Sequence, residues 1–168
     1  MPFTPLHTGF AYLLYKLSRG KANLLAIIIG SMVIDIECPI VYILSGFSYT
    51  HSIMHSIIFG ICVGTLLTTL TVIIVSRVNF LRGILEVFIL IKDSSLDIVV
   101  ASSVAGSASH LLLDIFTHFY GLPFLWPVVC MGITATTYET CIAVNVVSAI
   151  LTLWLIIDIL RGKLKTEA

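Results

Sequence analysis

Hydrophobic positions along this chain gather into long, nearly unbroken runs with short polar punctuation, not into the one-sided stripes of a soluble helix bundle. A helix needs roughly 20 apolar residues to cross about 30 Å of hydrocarbon. That measure predicts five candidate segments, at residues 3–18, 23–45, 53–76, 97–118 and 139–160. The first is short and ends at Lys16, Arg19 and Lys21, so it either spans or re-enters. Residues 78–97, VNFLRGILEVFILIKDSSLD, interrupt their hydrophobics with Arg82, Glu86, Lys92 and Asp93, the pattern of a helix lying at the interface. The fourth segment opens with VVASSVAGSAS, small residues that let helix backbones approach closely. Residues 121–138, GLPFLWPVVCMGITATTY, carry two prolines, Trp126 and Tyr138, and suit a loop at an aromatic belt.

Composition agrees with this pattern: 58% of the 168 residues are hydrophobic and 11% charged, far from the balance of a soluble domain. The expected fold is all-α, one integral membrane domain over residues 1–168, with four or five transmembrane helices and one interfacial helix. MPFTPLHTGF has no basic leader or cleavage pattern, so the first segment is expected to stay in the mature chain. A net charge of zero gives no field for nucleic acid, and membrane lipid is the expected partner. Cys38, Cys62, Cys130 and Cys141 have no CxxC spacing and define neither a disulfide framework nor a compartment. All nine basic residues, Lys16, Arg19, Lys21, Arg77, Arg82, Lys92, Arg161, Lys163 and Lys165, fall on one side of the predicted topology, which orients that side to the cytoplasm. Oligomeric state is not legible.

The histidines fall on the other side. In the five-span topology His7, His51, His55, His110 and His118 all lie in the outer half of the membrane or just beyond it. Counted at 1.5 Å per residue, His51 and His118 sit near the outer surface, His7 and Asp114 about 6 Å in, His110 about 12 Å and Asp35 about 15 Å. Steps of four residues turn a helix by only about 40°, so His110, Asp114 and His118 form one polar stripe. Ionisable groups in a bilayer face the bundle interior and pair with one another, with water or with an ion. Imidazoles and carboxylates without a thiolate cluster suit a divalent metal, zinc by default, as one ion or more. The candidate ligands are His7, Asp35, His51, His55, His110, Asp114 and His118. Glu37, about 200° around a regular helix from Asp35, shares no face with it unless Pro39 distorts the turn. It is a candidate base or a group that supports a ligand. Glu139 reads as a first-turn carboxylate favoured by the helix dipole. Each of these residues also has a bland reading: a capping histidine, a solvated helix start, or a hydrogen-bonded pair fixing helix packing.

MPFTPLHTG, IGSMVIDIECP, THSIMHS and above all SHLLLDIFTHFYGLPFLWP resemble, in order and over nearly the whole chain, the YdjM-type family of inner-membrane proteins taken to be metal-dependent hydrolases. The resemblance maps that family's pattern onto His7, Asp35, His55 with Ser56, and His110 with Asp114. The Arg-Gly usual between the family's histidines is missing here, which weakens any role for an arginine clamping an anionic substrate at that point and leaves the metal-ligand set untouched. The order His, Asp, His, HxxxD, His is also similar to that of the soluble zinc-dependent phospholipase C and P1 nuclease group. These resemblances imply a membrane-bound metal-dependent hydrolase of a phospholipid or other lipid-linked ester, acting at the non-cytoplasmic face, with His110, Asp114 and Glu37 as the catalytic candidates. A divalent-cation transporter and a non-catalytic membrane organiser remain the alternatives.

Overall fold

A computed structural model describes residues 4–46, 53–87, 93–129 and 132–162. Among these the chain is helical: α1 (His7–Leu17), α2 (Leu24–Val33), α3 (Glu37–Leu44), α4 (Ile57–Arg77), α5 (Asn79–Val87), α6 (Leu96–Asp114) and α7 (Tyr138–Leu160). Short 3₁₀ turns at Thr4–Leu6, Ile34–Ile36 and Ile53–His55 join or precede them. Among the described residues four stretches are long and apolar enough to cross a membrane: Leu24–Leu44, Ile57–Arg77, Leu96–Asp114 and Tyr138–Leu160. The polytopic all-α bundle expected from the hydrophobic runs is thus the observed architecture, with four membrane-length helices. Of the two expected counts, four is the one the described residues give: α1 has 11 residues, about 16 Å of helix.

Local signals explain the boundaries. Asn23 caps α2 by accepting from the Ala26 N–H at 2.9 Å, Ser56 caps α4 by accepting from Phe59 N–H, and Thr137 forms a capping box with Thr140 on α7. Between α2 and α3 the ladder breaks at Asp35. Pro39 has no N–H to offer the Asp35 carbonyl, and its ring crowds that position, so the chain tightens into a 3₁₀ turn and continues as α3. α6 ends at Asp114 and His118 lies one turn beyond it, its N–H still donating to the Asp114 carbonyl at 3.1 Å, so His110, Asp114 and His118 stay on one side as the spacing predicts.

Packing follows the small residues. α2 lies mainly on α6, α4 packs on α6, and α1 fits between α2 and α7. At the α2–α6 crossing Gly30 faces Gly106, and a Cβ on Gly106 would strike the Ile27 carbonyl while standing 3.1 Å from the Gly30 Cα. On α1, a Cβ at Gly9 would strike the Ser148 carbonyl of α7. Without a hydrophobic drive between helices in lipid, such backbone contact is a main source of association. Outward faces remain apolar, with Ile74, Ile150 and Leu153 exposed.

α5 carries Phe80, Leu81 and Ile84 exposed, and its Arg82 pairs with Glu86 at 2.8 Å and Asp93 at 3.3 Å. The loop after α6 returns over the end of the bundle. It buries Leu122 and Phe124 against Ile34 and Leu111, and the Ile57 N–H donates to the Phe124 carbonyl at 2.9 Å.

Candidate metal centre

Three segments deliver four side chains to a common point: Asp35 from the 3₁₀ turn after α2, His55 from the turn before α4, and His110 and Asp114 from the last turns of α6. One ligand atom from each of the four residues lies within 4.8 Å of all the others. His55 Nε2 stands 3.5 Å from Asp35 Oδ1 and 3.6 Å from Asp114 Oδ2. His110 Nε2 stands 3.4 Å and 3.0 Å from the same two atoms. Bonds of about 2.0–2.1 Å in a tetrahedral zinc site hold ligand atoms about 3.3–3.4 Å apart, so the four contacts match atoms sharing one ion.

Two further observations test the fit. His110 Nδ1 lies 2.8 Å from the Ser31 carbonyl. A carbonyl only accepts, so Nδ1 carries a proton, and in the neutral ring Nε2 then has its lone pair directed at the centre. His55 repeats the device, with Nδ1 3.0 Å from Glu37 Oε2, and Glu37 is itself held by the Met54 N–H at 3.1 Å. Outer acceptors that fix the tautomer and orientation of an imidazole are typical of metal ligands. Second, His110 Nε2 and both Asp114 oxygens are buried and have no hydrogen-bond partner among the described residues, although they approach one another to 3.0 Å. Buried Asp114 and partly exposed Asp35 both face the Nε2 atoms of two buried imidazoles, and a divalent cation at that point would neutralise the carboxylates.

The second Asp114 oxygen faces the other way. Oδ1 lies 3.4 Å from His118 Nδ1 and 3.8 Å from His7 Nε2, and the His7 ring stacks on His110 at 4.3 Å. Burial lowers the pKa of the His118 imidazole, which favours its neutral form. Thus His7 and His118 flank Asp114 without joining the four-residue group. Glu37 sits behind His55 in the supporting position, not among the converging ligand atoms. In a 3₁₀ turn Asp35 and Glu37 lie about 120° apart instead of about 160° in a regular helix, and the two nitrogens of one imidazole bridge that gap. His51 lies outside the described residues.

Sequence reasoning missed the Ser31 carbonyl, a backbone acceptor that no side-chain motif announces. It also missed a second buried cluster at the far end of α1: Tyr12 donates to Asp158 at 2.5 Å, and Lys16 Nζ lies 3.4 Å from the same carboxylate. Asp158 inside an apolar span was the available signal.

No curated protein and no solved structure matches this chain. The motif-order likeness to soluble zinc phospholipases and nucleases therefore gains no support from either comparison. A family model described as YdjM inner membrane protein matches residues 4–166, a stretch that contains all four residues of the group. The chain belongs to the YdjM inner membrane protein family, and its four membrane-length helices make it a multi-pass protein of the inner membrane.

Proposed function

We propose that this protein is a metal-dependent hydrolase of a phospholipid or other lipid-linked ester, working toward the non-cytoplasmic face, with Asp35, His55, His110 and Asp114 holding a divalent ion, zinc as the first choice. The observation that carries the reading is the pair of imidazoles, each tied through Nδ1 to an outer acceptor and each turning Nε2 toward Asp35 and Asp114. A bound divalent ion supplies polarisation of an ester or phosphoryl oxygen and acidification of water.

The chain's own residues do the rest. Glu37 and the Ser31 carbonyl hold the two rings, so the site is built before substrate arrives and needs no reorganisation. Asp114 has one oxygen on the four-residue group and the other toward His7 and His118, so those two histidines would be the residues to help hold a second ion. In the overall reaction water adds across the ester: its oxygen ends on the acyl or phosphoryl centre and its proton on the leaving oxygen. His118, buried beside Asp114, is positioned to accept and return a proton.

The facing comes from charge. The basic residues described, from Lys16 to Arg161, belong to the ends of the helices opposite this centre, and the positive-inside rule assigns that end to the cytoplasm. A cation path toward the cytoplasm is disfavoured by the α2–α6 crossing, where Gly30 and Gly106 leave no room for even a methyl group. The test uses purified protein loaded with zinc or manganese and vesicles of phosphatidylglycerol and phosphatidylethanolamine. Metal-dependent release of headgroup or fatty acid, lost in Asp114→Asn, is the expected result. Metal flux into proteoliposomes without any lipid hydrolysis would overturn it in favour of a transporter.

A further inference from the structure

The metal centre is closed on most sides. The side chains of His55 and His110 are 0% exposed and that of Asp114 1%, whereas Asp35 is 13% exposed. Among the described residues, access to the four-residue group is therefore by way of Asp35. What Asp35 borders is a cavity of about 620 Å³ between α2 and α4. Ile28, Ile29, Met32, Ile36 and Thr71 line it, and Asp35 is the single charged residue in its wall. The Thr71 hydroxyl donates to the Leu67 carbonyl of its own helix at 2.8 Å and makes no demand on an occupant.

We infer that this groove is the binding site for the hydrocarbon chain of a membrane lipid, and that the lipid reaches the metal centre sideways from the bilayer, not from water. The groove lies along Leu24–Leu44 and Ile57–Arg77, two stretches of membrane-crossing length, so hydrocarbon is the medium it meets. Its walls offer apolar contact and no unsatisfied donor to recognise a polar molecule. It extends from Asp35 back along α2 to Ile28, seven residues or about 10 Å, which turns a chain lying in it end-on to the centre. A flat lipid-facing surface such as that of α7 has no such link to a ligating carboxylate. The inference deepens the hydrolase reading and rests on it for what happens at Asp35. It does not rest on it for what fills the groove.

The test separates the two. Protein in vesicles containing phosphatidylglycerol with a diazirine at mid-chain is irradiated and digested, and the labelled peptides are mapped. The Ile28–Met32 stretch is expected to carry more label than the exposed Ile150–Leu153 face of α7. Thr71→Trp, which fills the groove, should cut that labelling about tenfold, because an excluded chain loses the burial of several methylenes, while metal content stays at the wild-type level. The Leu153→Trp control should change neither. The same Thr71→Trp protein should lose hydrolysis of long-chain lipid but keep that of a water-soluble dibutanoyl analogue. Equal labelling of both faces, or labelling untouched by Thr71→Trp, would overturn the groove assignment whether or not lipid is cleaved. Groove-specific labelling with no cleavage of either lipid would uphold the groove and remove the hydrolase reading.

Discussion

The protein buries ionisable side chains at both ends of α1, and the two clusters are built on opposite principles. At the cationic end Asp158 receives the Tyr12 hydroxyl at 2.5 Å and the Lys16 ammonium at 3.4 Å, with Lys16 also lying over the Tyr12 and Trp154 rings. Charge meets charge and the donors have acceptors. At the other end Asp35 and Asp114 converge on His55 and His110, and both Asp114 oxygens lack a hydrogen bond among the described residues. A self-contained ion pair fastens helices and needs nothing else. A cluster with surplus negative charge and lone pairs aimed at one point is complete only with a cation.

This contrast can be broken at several places. Asp114→Asn and His110→Ala should have the largest effect, removing essentially all bound metal, as read by elemental analysis of purified protein. Gly106→Val should come next. Its side chain drives into the Ile27 carbonyl and parts α2 from α6, separating Asp35 from His110. Overpacking of this kind costs about 1–3 kcal/mol, and thermal melting in detergent together with metal content should both fall. Glu37→Gln keeps the shape but weakens the hold on His55 Nδ1, and loss of such a supporting group typically lowers metal affinity about 10–100-fold, measurable by competition with a chelating dye. Asp158→Asn should leave metal stoichiometry unchanged while lowering the melting temperature, since stranding a partly buried partner costs on the order of 1–3 kcal/mol. Metal loss in Asp158→Asn equal to that in Asp114→Asn would erase the distinction between the two clusters.

Much of this was legible in the sequence, for a physical reason. The bilayer demands length and apolarity, so residues 53–76 and 139–160 read correctly to within a few residues of Ile57–Arg77 and Tyr138–Leu160. It also penalises stray charge, so Asp35, His55, His110 and Asp114 stood out before any geometry was known. Where the reading failed, it assumed regular helix. A regular helix sets Glu37 about 160° from Asp35, whereas the 3₁₀ turn at Ile34–Ile36 lets both carboxylates reach the two nitrogens of His55. The groove beside Asp35 could not be read at all, because its walls come from α2 and α4 and each strand of residues is unremarkable alone.

The most direct test is the metal content of wild-type protein purified without added chelator and, in parallel, after stripping and reloading with zinc or manganese. At least one tightly held divalent ion per chain, absent from His110→Ala and retained by Asp158→Asn, is the predicted result. Wild-type protein that holds no stoichiometric ion after reloading would contradict the metal centre and every function built on it.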